Sequence, residues 1–300
     1  MKKISEKLAE LCAGMLFDSF SEVDVFSAKL HFLDYLGVTA RGNTTEPAKA
    51  AAALAISKPA GVRSPIIGTK KSANYDWAAF VNGTANHSIE FDDTYFPGII
   101  HIGASVFSAC LAEACNTNRE VSGKDFIEAI ITGYEISGRT GASHNKFAFE
   151  RGFHPTGTCN VFGAAMASAR IKKMDIGKMV RTFGIAGHFA CGLNSFLAEG
   201  AWTKRIHPGM AAFNGLQASA LADLGFVSET GIFEDQSGFL RAYASNYSEE
   251  ALFPQKPVNV ISNTSFKPYP CCARIHASIK ATLDLITENK IYTEYSLHLG

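Results

Sequence analysis

The chain has 300 residues, 47% hydrophobic and 19% charged, which suits a soluble globular protein with a core large enough for one to three domains. Its 28 basic and 28 acidic side chains cancel, so no overall field favours nucleic acid or an anionic membrane surface. No stretch approaches the roughly eighteen uninterrupted apolar residues of a membrane span, and the seven cysteines form no CxxC pair. Cys12, Cys110, Cys115, Cys159 and Cys191 lie in apolar surroundings, so buried thiols in a reducing cytoplasm are expected.

The first residues read as a helix over 4–18, because Glu6, Glu10 and Asp18 break what would otherwise pass for a signal-peptide core. Helices follow near 21–40, 46–57, 73–90 and 103–117. Ser122-Gly-Lys-Asp125 is a capping box, and Phe126, Ile127, Ile130, Ile131 and Tyr134 then make one apolar stripe. Another helix is expected over 158–171. Asp175 caps a further one carrying Ile176, Met179, Val180 and Phe183. Pro208 suits the first turn of a helix that runs to Gly225. Residues 245–270, rich in Pro, Ser and Asn, read as a boundary. Ile275, Ile279, Leu283 and Ile286 keep helical spacing, and IYTEYSLHLG at the end resembles an opening strand. A lone strand has no partner ladder, so the chain is expected to stop inside a second, smaller α+β domain. The expected organisation is mainly α: an all-helical domain over 1–265, then a hinge and an incomplete lid over 266–300.

Several chemistries lack their signatures. HExxH, GxSxG and the lysine-bearing phosphate loop are absent, and TGTCNVFG (156–163) has no strand before it. A hydrolase built on Cys159 or on Ser143 and His144 lacks an oxyanion motif. His31, His144 and His188 read as structural. What remains is four polar stretches between apolar helices: HSIEFDDTYFPGIIH (87–101), GFHPTGT (152–158), WTKRIHPG (202–209) and FKPYPCCARIH (266–276). Lys204, Arg205, Lys267 and Arg274 could together neutralise a small polyanion, while histidines that titrate near neutrality move a proton. Taken singly, each stretch is better explained by a turn, a satisfied loop histidine or a solvated pair. The residues alone leave both readings open.

Those stretches, quoted more fully as NGTANHSIEFDDT, RGFHPTGTCNVFGAA, SFLAEGAWTKRIHPGMAAFNG and KPYPCCARIH, resemble the MmgE/PrpD family over essentially the whole chain. That family includes 2-methylcitrate dehydratase, cis-aconitate decarboxylase and iminodisuccinate epimerase. The resemblance implies a helical domain with a smaller lid, a homodimer, a small polycarboxylate substrate, and neither metal nor organic cofactor. It implies a lyase or isomerase that removes a proton beside a carboxylate. It places His101, His154 and Lys204 in the catalysis, with Glu90, Asp93, Thr94, His207, Lys267, Arg274 and His276 binding substrate. Asp92 and Asp93 are expected mainly to cap, turn and orient. Three departures stand out. Glu90 replaces the aspartate of decarboxylase-like members, Ile-Gly follows His101 where dehydratase-like members have Pro-Ser, and family members are longer. A chain without a complete lid is expected to be weakly active, or a non-catalytic fragment that keeps a carboxylate-binding helical fold.

Overall fold

A computed structural model describes residues 2–59, 61–255 and 259–289. The chain is mainly helical, with two short strands among the described residues. In order the elements are α1 (Ile4–Gly14), α2 (Glu22–Gly42), α3 (Glu46–Ile56), β1 (Arg63–Pro65), β2 (Ser72–Asn74), α4 (Tyr75–Asn86), α5 (Gly103–Asn116) and α6 (Gly123–Glu150). Then come α7 (Pro155–Thr158), α8 (Asn160–Ile171), α9 (Ile176–His188), α10 (Thr203–Asp223), α11 (Phe239–Tyr243), α12 (Glu249–Leu252) and α13 (His276–Glu288). The strands pair antiparallel, with Arg63 opposite Asn74 and Pro65 opposite Ser72. No helix among the described residues is long and apolar enough to cross a membrane.

The centre of the body is α8, NVFGAAMASARI, buried on every side except at Arg170. A helix apolar or small all round must be enclosed by neighbours, and α5, α6, α9 and α10 enclose it. Small residues set how closely these helices approach. Where α4 meets α10, Gly83 faces Gly209: a Cβ on Gly83 would stand 2.8 Å from the Gly209 Cα. Phe107, Phe162, Phe183, Tyr134 and Phe233 fill the larger spaces.

The capping signals appear as expected. Ser122 accepts from the Asp125 N–H while Asp125 returns a bond, and Asp175 accepts from Lys178 N–H at 2.8 Å. Some expectations need correction. The first helix stops at Gly14, and a 3₁₀ turn over Phe17–Ser19 follows. The tenth helix begins at Thr203, so Pro208 lies inside it and not in its first turn, and the missing proline N–H leaves the helix one backbone hydrogen bond short there. The hairpin of β1 and β2 was not predicted, because three-residue strands are too short to show alternation. Cys12, Cys110 and Cys159 are buried, but Cys115 and Cys191 are exposed. The strand expected at IYTEYSLHLG falls outside the described residues.

Candidate active site

Three chain segments meet at one end of the bundle, each leading into a helix. The first joins α4 to α5. After the 3₁₀ turn His87–Ile89 the chain reverses through Glu90, which adopts a left-handed conformation (φ 56°), a sparsely populated one for a residue with a side chain. Tyr95 then pairs with Ile100 around a second turn closed by left-handed Ile99. Thr94 and Ser265 exchange both backbone hydrogen bonds at 2.9 Å, tying this loop to the segment that carries Lys267. The second segment, 151–154, is held by Asn194, whose amide donates to the Phe153 carbonyl at 2.8 Å, and by His154 N–H donating to Gly192. The third is the first turn of α10, with Lys204 and His207.

A cavity of about 230 Å³ opens here, lined by Glu90, Thr94, Phe96, Ile99, His101, Lys204, Cys272, Ala273 and Arg274. A wider surface depression of about 940 Å³ lies elsewhere, but Glu10, Glu249 and Glu250 line it beside a single lysine, which would repel an anion. The smaller cavity holds the convergent chemistry. Lys204 is chelated by both carboxylate oxygens of Glu90, with 2.5 Å to Oε1. Burial would raise the Glu90 carboxyl, yet His87 and Lys204 hold it below the ordinary range. Arg274 lies over the Phe149 ring at 5.5 Å.

His101 is oriented by a group that can only accept. Its Nδ1 is 2.8 Å from the Asp93 carbonyl and 3.2 Å from the Thr94 hydroxyl, so Nδ1 carries the hydrogen and Nε2 the lone pair. Burial pushes this imidazole down to about 4, which leaves it neutral at physiological pH. Its backbone N–H is fixed by Thr156, and its carbonyl by Asn160. A neutral, oriented imidazole beside a cavity with two cations is equipped to take a proton from a bound carboxylate compound.

His154 and His207 share a hydrogen bond, Nδ1 to Nδ1 at 2.8 Å, in a layer behind the cavity. Burial lowers both, His207 to about 4 and His154 well below the ordinary imidazole range, with His87 contributing to each. Lys267 sits underneath, its side chain 2% exposed, donating to the Glu90 carbonyl at 3.0 Å and reaching Asp92 at 3.4 Å. Asp92 also accepts from His87 Nδ1 at 2.5 Å. Burial opposes its charge, but His87, His101 and Lys267 hold it well below the usual carboxylate range.

The structure therefore brings Glu90, Thr94, His101, Lys204 and Arg274 together at one cavity, with His154, His207 and Lys267 packed behind or below. Asp93 and His276 do not reach it. The Asp93 carboxylate accepts from Gly103 N–H at 3.0 Å and from the Tyr134 hydroxyl, and lies 3.4 Å from His31, so it holds the start of α5 instead of facing the cavity. His276 points its Nε2 to the Cys271 carbonyl at 3.3 Å. Sequence reasoning missed His87: it opened a quoted stretch, but no spacing rule marks a histidine whose partner is five residues on, round a turn. His31, read as structural, is buried, contacts Asp93 and stacks on Phe266, 4.2 Å between ring centres. His188, read as structural, is an exposed partner of Glu229. Among the described residues no three His, Cys, Asp or Glu side chains are arranged to hold a metal ion.

The profile of the MmgE/PrpD N-terminal domain matches residues 6–251. The chain is 30% identical to the cis-aconitate decarboxylase of Homo sapiens over 260 residues, covering 84% of this chain and 52% of that protein. Its Mus musculus counterpart is 30% identical over 256 residues with the same coverage, and that of Aspergillus terreus 28% over 221 residues, 69% of this chain and 45% of the other. The chain thus spans about half the length of the curated relatives it matches. With the helical body and the converging loops now described, the matched span shows that this chain belongs to the MmgE/PrpD family.

Proposed function

We propose that this chain carries the helical half of a lyase or isomerase site that removes a proton next to a carboxylate of a small di- or tricarboxylate. The observation that supports this best is His101: a half-buried neutral imidazole with Nδ1–H fixed and Nε2 free, in a cavity shared with Lys204 and Arg274. In this reading Arg274 and Lys204 bind substrate carboxylates, Lys204 exchanging Glu90 for the substrate. His101 and His154 are the proton-handling pair. The charge that develops on the carboxylate as the proton leaves is offset by Lys204 at the cavity and Lys267 below it. Acid–base groups placed this way contribute about 10²–10⁴-fold each to rate. The chemistry requires no redox cofactor, and a homodimer is the assembly we expect for it.

Relatives at about 30% identity are named cis-aconitate decarboxylase, so cis-aconitate is the first compound to test, with loss of CO₂ as the expected outcome, the electron pair it leaves on the carbon skeleton taking up a proton delivered by the histidine pair. Citrate and 2-methylcitrate extend the panel. Each is incubated in D₂O and C–H exchange is followed by NMR. Exchange or CO₂ release with at least one compound, abolished by His101→Ala, is the expected result. A second reading, a carboxylate-binding fragment without turnover, draws on the fact that Glu90 already occupies Lys204 and Asp92 already occupies Lys267. Saturable citrate binding with no exchange on any compound would favour that reading and overturn the first.

A further inference from the structure

The second helix is apolar on two faces, and the described residues cover only one of them. Within α2, Ala28, His31, Tyr35 and Val38 are buried on the side of the core. On the other side Val23, Phe26, Leu30 and Leu33 are 65%, 61%, 37% and 67% exposed. Exposed apolar residues scattered singly are ordinary, but these four follow one another at spacings of three, four and three. Such a row is the seam of a helix that packs lengthwise against another helix, not the surface of one that faces water.

Two further features of α2 find no explanation inside the chain. Gly37 falls four residues after Leu33 and so continues the seam. Glycine destabilises a helix interior relative to alanine, and is usually kept where a side chain would collide or a turn needs it. A Cβ on Gly37 would meet nothing within 4 Å, and its backbone is helical, so neither reason applies. The flanks of the seam carry Lys29 and Asp34, and among the described residues neither makes an ion pair. Burial pushes the Asp34 carboxyl up to about 7, with Asp93 adding to it, as befits a carboxylate with no cation in contact.

We infer that the exposed seam of α2 is covered by α2 of a second copy of this chain, the two helices lying parallel about a two-fold axis. In a parallel pair Leu30 and Leu33 each meet their own counterparts. The flank residue Lys29 then faces the partner's Asp34, five positions on, and symmetry makes that contact twice. Each copy thus supplies the cation that the other's carboxylate lacks. An antiparallel pair would set Lys29 against the partner's Leu36 and Asp34 against the partner's Ser27, leaving both charges unmatched. Gly37, with Ala40 beyond it, gains a purpose: the backbones close together there while the Phe26 rings hold the other end apart, so the helices cross. A seam of this length is at the small end of specific interfaces, so the expected Kd is about 10 µM. The inference gives a face to the homodimer expected above and depends on none of the proposed chemistry.

Sedimentation equilibrium of the whole chain, from about 1 to 200 µM, measures the association, with circular dichroism to show that each variant is folded. The wild type should be dimeric in the upper part of that range. Leu33→Glu should weaken the dimer at least about a hundredfold, and Lys29→Glu, which sets like charges together, about tenfold. Adding Asp34→Lys to Lys29→Glu reverses both charges and should bring the Kd back to within about threefold of the wild type. If the Asp34→Lys chain does not fold, Lys29→Met and Asp34→Asn serve instead: the double variant should lose no more than either single one. A chain still monomeric at about 200 µM would overturn the proposal and leave the seam to another segment of a longer chain. A dimer indifferent to Leu33→Glu, or charge changes whose losses simply add, would overturn it too. A dimer of this kind with no exchange on any polycarboxylate fails the proposed function alone; exchange by a monomer fails this inference alone.

Discussion

Two lysines at the site, Lys204 and Lys267, look equivalent in sequence, each a cation near a histidine, but the structure gives them opposite thermodynamic roles. Lys267 and Asp92 are 2% and 1% exposed, so Lys267→Met strands a buried carboxylate and leaves the Glu90 carbonyl without its 3.0 Å donor. Removing one partner of a buried pair costs about 3–5 kcal/mol. His87 remains on Asp92, and methionine preserves most of the apolar stem, so the expected loss is about 2–4 kcal/mol. Lys204 and Glu90 are 20% and 27% exposed, close enough to solvent that Lys204→Met should cost about 0–1 kcal/mol. Its effect should fall on ligand affinity, with citrate binding weakened about tenfold, or about 1.4 kcal/mol. Urea unfolding at pH 7, followed by circular dichroism, measures the first quantity, and titration calorimetry the second. A Lys267→Met protein within about 0.5 kcal/mol of the wild type, or a Lys204→Met protein destabilised as much as Lys267→Met, would refute the division of roles.

Other outcomes follow from the same geometry. Burial depresses His101, His144 and His207 to about 4, so their unfolded forms bind protons first as pH falls, and stability present above about 6.5 is lost progressively down to about 4. Each contributes a slope of up to about 1.4 kcal/mol per pH unit. Urea midpoints at pH 7, 6 and 5 should fall in that order, and a flat series would contradict the burial of these rings. Asp93 is held below its ordinary range despite burial, through His31, Tyr134 and Gly103, so its stabilisation is present above about 3.9 and lost as pH falls through the depressed folded value. Asp93→Asn should therefore be less stable at pH 7 by about 1–3 kcal/mol and show a shallower decline below pH 4. Glu90→Gly relieves a left-handed residue and frees Lys204, so citrate should bind more tightly; weaker binding would show that the Glu90 carboxylate itself assists the ligand.

The helical organisation was legible because caps and apolar periods are local signals. Ser122 with Asp125 and Asp175 before Ile176 marked helix starts, and Gly225, with φ 91°, marked a stop. The four polar stretches were legible as candidates, and Glu90, Thr94, His101, Lys204 and Arg274 do meet at one cavity. What sequence could not give was which side chain of each stretch turns inward. In the 87–101 loop, two left-handed residues and the Thr94–Ser265 pairing decide that Asp93 faces α5 and Tyr134 while Thr94 faces the cavity. Those are long-range choices, settled by a partner more than 150 residues away. The same holds for His87, whose importance depends on rings from 101 and 154 arriving beside it.

The Thr94–Ser265 pairing also bears on how this protein can be cut. The match to the N-terminal domain profile ends at residue 251, a natural place to trim a domain for expression. Yet Val260 and Ile261 are buried, Ser265 supports the site loop from outside, and the cation beneath that loop arrives at Lys267. A version ending at 251 would keep the motif-bearing loops and lose the strip of chain that gives one of them its shape. The span matched by the domain profile is thus shorter than the span of chain that shapes the site loop.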